Sequence, residues 1–197
     1  MRPDAPLSPD RRLLRRRDCE YELFRSVEEA VELPIIREGF ETVEQFVARA
    51  QSVLQRRKSR SGRSLELHLK AIFEEEGLRE GRNFVHQPET EPGCKPDFLF
   101  PDAESYKDAG FPLARLRMLA VKTTCRDRWR QVLNEAGRIN DKHLFTLQEG
   151  VSEGQFREMS GAGVHLVVPE PLISAYPQTV RPHLQTLESF IGDIRVL

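Results

Sequence analysis

The chain has 197 residues, 39% of them hydrophobic, with 31 acidic and 30 basic side chains and a formal net charge of −1. That length supports one compact domain with a substantial core and excludes two full-sized ones. The balanced charge excludes a histone-like binder that holds nucleic acid by bulk attraction, while leaving room for a local basic groove.

Residues 1–18 are rich in Pro, Asp and Arg and read as a flexible tail, with a helical stretch at most over Arg11 to Arg17. That basic run is followed by DCEYELF rather than an apolar signal core, and no stretch approaches the ~20 apolar residues that cross a bilayer. The chain therefore reads as cytoplasmic and soluble, without a membrane partner. Residues 19–61 form a helical subregion: Leu23, Phe24, Val27, Ala30 and Val31, then Val43, Phe46, Val47, Ala50, Val53 and Leu54, recur at helical spacing. Pro34 is expected to break the first helix, and Thr42 to cap the second. A further helix is expected from about Ser64 to Glu76, with Leu65, Leu69, Ile72 and Phe73 on one face and Gly77 as its stop.

Beyond Gly77 the period changes. NFVHQPE and PDFLFP are short, β-prone and bounded by Gly and Pro, and RMLAVKTT has the compact apolar run of a buried strand. RDRWRQVLNEAGRI reads as a helix, HLFTLQ as a strand, EGQFREM as a helix, VHLVVP as a strand and HLQTLESFIGDI as a closing helix. Residues 62–197 thus form a catalytic core of α/β (α+β) class, a mixed central sheet flanked by helices, and 19–197 a single domain. Cys19, Cys94 and Cys125 show no paired or metal-ligand spacing, which argues against a disulfide framework or a zinc site.

The charges are unevenly placed. Arg56 to Arg63 reads RRKSRSGR without an acid, and six basic residues between Arg115 and Arg130 face only Asp127. Lys58, Arg60 and Arg63 are accordingly candidates for contacts to a DNA backbone. Each run is also what an ordinary solvated helix face looks like.

The chemistry concentrates in PDFLFP and VKTTCRDRWRQVLNEA. A Pro-Asp at the start of one strand and a Lys at the end of another bring Asp97 and Lys122 to the same sheet edge, where a carboxylate holds Mg²⁺ and an ammonium serves the attacking water or the phosphate. One carboxylate makes a weak metal site. In the PD-(D/E)XK nuclease pattern the second acid stands two residues before the Lys, but that position is Ala120. Glu135, in the helix expected downstream, supplies a relocated acid, so Asp97 and Glu135 are the candidate metal ligands; Glu66 is a further candidate for an outer carboxylate or a water contact. Glu135 and Glu66 are also what ordinary solvated helical acids look like, and Lys122 what a surface lysine at a strand end looks like. Arg126, Asp127 and Arg128, on a helix entering the major groove, suit G·C pairs: guanidinium groups bind guanine O6 and N7 bidentately and the carboxylate accepts from cytosine N4.

KPDFLFP, the run from Leu116 to Ile139, HLFTLQEGVS, QFREM and VHLVVP together resemble the catalytic domain of the EcoRII-type restriction endonucleases, relatives of the SsoII and PspGI enzymes. The resemblance covers roughly residues 20 to 190. It implies a PD-(D/E)XK fold with Asp97, Lys122 and Glu135 at the catalytic positions, Mg²⁺ as cofactor, and Arg126, Asp127 and Arg128 reading the outer C·G pairs of a CCNGG or CCWGG site. Tyr106 and the basic positions near Lys58 match polar positions near the family's DNA-facing surface. The resemblance further implies double-stranded DNA as substrate, a symmetric homodimer, a cut 5′ of the first C leaving 5′-phosphates, and a cognate cytosine DNA methyltransferase. The EcoRII enzyme carries an effector domain ahead of this region, and only about 20 residues precede it here, so cleavage at single sites is expected. Two rival readings stand beside this one: a repair or mismatch nuclease of the same fold, and a sequence-specific DNA-binding protein without catalysis.

Overall fold

The computed structural model describes residues 7–126 and 128–197. Five short strands form one sheet in chain order: β1 (Val85–His86), β2 (Phe98–Phe100), β3 (Arg117–Lys122), β4 (Lys142–Thr146) and β5 (Val164–Val167). The first three pair antiparallel and the last three parallel. The parallel steps need crossovers, supplied by the segments containing α4 (Trp129–Val132) and α5 (Glu153–Gly161). A short helix, α3 (Ala103–Lys107), lies between β2 and β3.

Alternation along the strands splits the interior into two layers. Leu99, Met118, Ala120, Leu144 and Leu166 pack with Tyr106, Trp129 and Met159 on one face. Phe98, Phe100, Leu119, Val121 and Phe145 face the helices on the other. There Phe73 meets Phe84, Phe98 and Phe100 edge-on at 5.2–5.7 Å between centroids, a geometry that adds to plain burial. The closing helix α6 (Leu187–Arg195) completes this layer with Leu187, Phe190, Ile191 and Ile194.

The helical half differs from expectation in three ways. Residues 9–18 are helix rather than tail: α1 (Pro9–Glu38) starts at Pro9, a proline at the first helical position after the Ser8 cap. Leu13 is fully buried, and the Asp10 carboxylate, 1% exposed, accepts the backbone N–H groups of Glu170, Leu187 and Glu188 at 2.9–3.0 Å. Pro34 does not break α1. The carbonyl it deprives of a partner belongs to exposed Ala30, within reach of water, and the helix ends one turn later at Gly39. Finally, the helices expected on either side of residue 62 are one, α2 (Val43–Glu75), capped by Thr42 as expected. Leu65, Leu69, Ile72 and Phe73 tie its second half to the sheet, enough burial to carry the helix through Gly62.

α1 and α2 form an antiparallel hairpin stitched by ions. Arg57 pairs with Glu28, Arg49 and Arg56 with Glu32, and Arg17 with Glu20, which also meets Ser64 and His68. Its outer faces are apolar instead: Leu23, Val27, Val31, Phe46 and Leu54 are all exposed.

Candidate active site

The register of β2 against β3 assembles the first two candidates. Phe98 pairs with Leu119, so Asp97, one residue earlier on an antiparallel strand, stands beside the last residues of β3. Its Oδ2 accepts the Val121 N–H at 2.6 Å and the Lys122 ammonium at 3.1 Å. Both side chains are mostly covered, at 13% exposure each, which strengthens their interaction relative to a surface pair. The Pro-Asp step and the strand-end Lys meet at one sheet edge, as expected from the sequence.

Glu135 also arrives there, by a different route. The helix read through RDRWRQVLNEAGRI contracts to the single turn Trp129–Val132, and Glu135 lies in the irregular turn that follows. Trp129 and Val132 are consumed by the core, as are Ala136 and Ile139 beyond them, but Ala136 takes a left-handed φ of +47° and the backbone around it bonds to side chains of other elements, so the helix stops. The carboxylate is nevertheless inward: its Oε2 is buried without a hydrogen-bond partner. Burial raises its pKa to about 7; the charge of Asp97 pushes the same way, and Lys122 and Lys142 push back. Asp97, Lys122 and Glu135 thus form one electrostatic neighbourhood.

A cleft of about 430 Å³ opens beside Lys122. One stripe of α2 (Gln55, Lys58, Ser59, Gly62, Arg63 and Glu66) forms one wall, and Val121, Lys122, Thr123 and Arg128 form the other. The stripe follows the 3- and 4-residue spacing of a single helix face. Glu66 accepts from the Gln87 amide at 2.8 Å and meets His86 Nε2 at 3.2 Å. Of the candidates, the cleft therefore unites Lys58, Arg63, Glu66, Lys122 and Arg128.

Two candidates are placed elsewhere. Arg60 turns away from the cleft and stacks on Phe24 of α1, 4.1 Å from the ring centre, because residue 60 lies on the α1-facing side of α2. Tyr106 is 3% exposed; its hydroxyl donates to Glu91 and accepts from the Arg138 N–H at 3.1 Å. A phenol committed on both sides inside the core has nothing to offer a phosphate. Arg56 and Arg57 are likewise neutralised by α1, so the basic run contributes less free charge than its composition implies.

Neither Arg126 nor Arg128, expected on a helix, lies in one. Arg126 sits in a turn with φ of +21° and is exposed, and Arg128 is the residue preceding α4; Asp127 lies outside the described residues. Sequence reasoning missed what holds this turn. The Gln148 side-chain oxygen accepts the N–H groups of Cys125 and Arg126 at 2.9 and 3.1 Å, and Gln155 donates to the Arg126 carbonyl at 2.6 Å. A glutamine two residues past a buried strand, Gln148 in HLFTLQ, is the one available sequence signal. Lys142 and Glu91, which bracket the Glu135 turn, were missed as well; a lysine opening a buried strand was the trace of the former.

A divalent cation fits the acidic pair. A buried carboxylate oxygen with no partner is costly, and Glu135 Oε2 beside Asp97 is such a group. Among the described residues no cluster of three or more His, Cys, Asp or Glu forms a closed cage. Two carboxylates completed by water and phosphate oxygens is the pattern magnesium favours.

The family model described as EcoRII C terminal matches residues 24–191. The type II restriction enzyme EcoRII of Escherichia coli is 57% identical over 188 residues, covering 95% of this chain and 46% of that protein, so the chain spans about half the length of this relative. Two solved structures share the fold: metal-depleted Ecl18kI with uncleaved, modified DNA, at a TM-score of 0.74 and 17% identity, and metal-depleted Ecl18kI with uncleaved DNA, at 0.68 and 20%. Each comparison covers 96% of this chain and 69% of the other. The expected fold class, a PD-(D/E)XK mixed sheet flanked by helices, is thereby established, and the chain belongs to the EcoRII C-terminal family.

Proposed function

We propose that the chain is a type II restriction endonuclease that hydrolyses double-stranded DNA with Mg²⁺ at a CCNGG- or CCWGG-like site, leaving 5′-phosphate ends. The observation that carries this reading is the meeting of Asp97, Lys122 and a buried, unpartnered Glu135 beside a cleft bearing Lys58, Arg63 and Arg128. Membership of a family that includes a restriction enzyme supports it.

Asp97 and Glu135 would hold the Mg²⁺, which when bound polarises the scissile phosphate and lowers the pKa of an attacking water. Lys122, oriented by its ion pair with Asp97, faces the phosphate and stabilises the added negative charge of the transition state. Glu66, on the α2 wall of the cleft and held by the Gln87 amide, orders water there. Lys58 and Arg63 contact the backbone, and Arg126 and Arg128 contact guanine edges from a turn held by Gln148 and Gln155.

A pseudo-palindromic site calls for a symmetric homodimer. The α1–α2 hairpin suits that role, since its inner faces are ionic and its apolar residues point outward. Among the described residues no helix is long and apolar enough to cross a membrane, consistent with work on cytoplasmic DNA, where a cognate cytosine methyltransferase would protect the host's own sites.

Digestion of a plasmid of known sequence in Mg²⁺, with the fragment ends sequenced, tests this directly. Discrete cuts at one short sequence are expected. Preference for mismatched duplexes would replace restriction by repair, and specific binding without cleavage in Mg²⁺ or Mn²⁺ would overturn the enzymatic reading.

A further inference from the structure

The turn that carries Glu135 belongs to no helix or strand, yet its backbone is gripped residue by residue. The Lys142 ammonium, on the first residue of β4, donates to the carbonyls of both Glu135 and Ala136, the latter at 2.7 Å. The Glu91 carboxylate, from the connection between β1 and β2, accepts the Gly137 N–H at 3.0 Å. The Tyr106 hydroxyl, from α3, accepts the Arg138 N–H at 3.1 Å and donates to the same Glu91 oxygen. Arg138 closes the circuit by donating its guanidinium to the Tyr106 carbonyl. Four consecutive residues, 135 to 138, are therefore anchored by side chains from three separate elements.

This is an expensive way to hold a turn. Lys142 is 4% exposed and Tyr106 3%, and an ammonium withdrawn from water costs several kcal/mol unless its surroundings repay it. Ala136 is fully buried with φ of +47°, a left-handed conformation that alanine adopts reluctantly. Loops that merely connect a helix to a strand stay at the surface and leave such groups to water. The turn is held inward instead, and the side chain it presents inward is Glu135.

We propose that Lys142, Tyr106 and Glu91 form a clamp whose function is to position Glu135 against Asp97 and Lys122, making them positioning residues for the second metal-binding carboxylate. The proposal rests on the reading of Glu135 as a metal ligand. It explains how the acid can leave its place two residues before Lys122 without losing precision: a strand fixes a side chain through its ladder, whereas a turn needs an external brace.

The test uses the full chain with Lys142→Met, which keeps the length and removes the donors, and Tyr106→Phe, which removes a single hydroxyl, beside Glu135→Gln as reference. Three quantities are read: affinity for site-containing DNA in EDTA, Mn²⁺ affinity of the DNA complex, from the paramagnetic signal of free Mn²⁺, and the single-turnover cleavage rate in Mg²⁺. Both clamp variants are expected to bind DNA within about threefold of wild type and to lose tenfold or more in Mn²⁺ affinity, a loss of the size seen when an outer-shell partner of a metal ligand is removed. Tyr106→Phe combined with Glu135→Gln is expected to be no worse than Glu135→Gln alone, because both changes act on one carboxylate. If Glu135→Gln weakens Mn²⁺ binding while Lys142→Met and Tyr106→Phe leave it intact, the clamp is refuted and the Glu135 assignment survives. If Glu135→Gln itself binds Mn²⁺ and cleaves as wild type, that assignment falls and takes the clamp with it. Should Lys142→Met fail to fold, Tyr106→Phe decides the matter; additive losses in the double variant would show general damage to the turn and count against positioning.

Discussion

Asp10 offers a demanding test of how the N-terminal helix is joined to the rest of the molecule. Its carboxylate is buried near the start of α1 and satisfies three backbone N–H groups in the C-terminal third, Glu170 and Leu187 through Oδ1 and Glu188 through Oδ2. Leu187 and Glu188 are the first two residues of α6, so the contact also places a negative charge at a helix N-terminus. Asp10→Ala removes all three hydrogen bonds. The Leu187 donor is buried, and leaving it unsatisfied costs about 1–3 kcal/mol. The other two sites are partly covered and can recruit water, so each loses roughly 0.5–1.5 kcal/mol. The expected total is about 2–6 kcal/mol, or a fall in Tm of roughly 4–24 °C for a chain of this size. Urea denaturation followed by far-ultraviolet circular dichroism, at a fixed protomer concentration, measures it. Asp10→Asn, which keeps one carbonyl oxygen for Glu170 and Leu187, should lose clearly less. A loss below about 1 kcal/mol for Asp10→Ala would refute the view that this carboxylate anchors α1.

Other consequences are as direct. Asp97→Asn keeps an oxygen for the Val121 N–H, so the variant should fold normally while its cleavage rate falls by about 10³ or more, roughly 4 kcal/mol in barrier, with DNA binding in EDTA retained; Lys122→Met should behave alike, and cleavage at above a hundredth of the wild-type rate would count against either role. Arg126→Gln or Arg128→Gln should reduce discrimination between the cognate site and a site altered at an outer C·G pair by about 1–3 kcal/mol, read as a ratio of dissociation constants at one salt concentration. Leu23→Asp or Leu54→Asp should leave the circular dichroism spectrum unchanged and shift sedimentation to the monomer; an undisturbed dimer would place the interface elsewhere. His143 is largely buried with its Nδ1 unpartnered, and burial lowers its pKa from 6.5 to about 4. The unfolded chain binds the proton first, so this group's stabilising contribution is whole above pH 6.5 and is lost as pH falls toward 4, by roughly 3 kcal/mol. His143→Phe, beside Phe190, should flatten that part of the pH–stability profile.

The sheet and the meeting of Asp97 with Lys122 were legible in the sequence because they depend on local signals. Alternating apolar strands and a Pro-Asp at a strand start bring Asp97 to Lys122 through nothing more than antiparallel register. The errors lie where tertiary contacts override local preference. Pro34 and Gly62 are breakers by propensity, yet Glu32, 6% exposed between two arginines, and the buried Leu65 to Phe73 face hold both helices through them. In the other direction, LNEAGRI has a helical composition and spaces Leu133, Ala136 and Ile139 as a helix would, but side chains from β4, α3 and the β1–β2 connection hold its backbone as a turn instead. Tyr106 and Arg60 were misplaced for a related reason: residue type says that a side chain can bind phosphate, whereas burial and helix face decide whether it meets one. The partners of Gln148, Lys142 and Glu91 are separated along the chain and leave almost no local trace.

The continuity of α2 has a mechanical consequence. At 1.5 Å per residue its 33 residues make a rod of about 50 Å. The outward apolar residues Phe46 and Leu54 ride on one half, Lys58, Arg63 and Glu66 at its middle, and the residues that lock it to the sheet on the other half. In the proposed dimer the distance from the symmetry axis to each cutting centre is then measured by a stiff strut rather than a hinge. The stagger between the two nicks would be a dimension of the protein, set before any DNA is bound, and inserting a single residue into α2 near Ser59 would rotate one half against the other by about 100° and uncouple pairing from cutting.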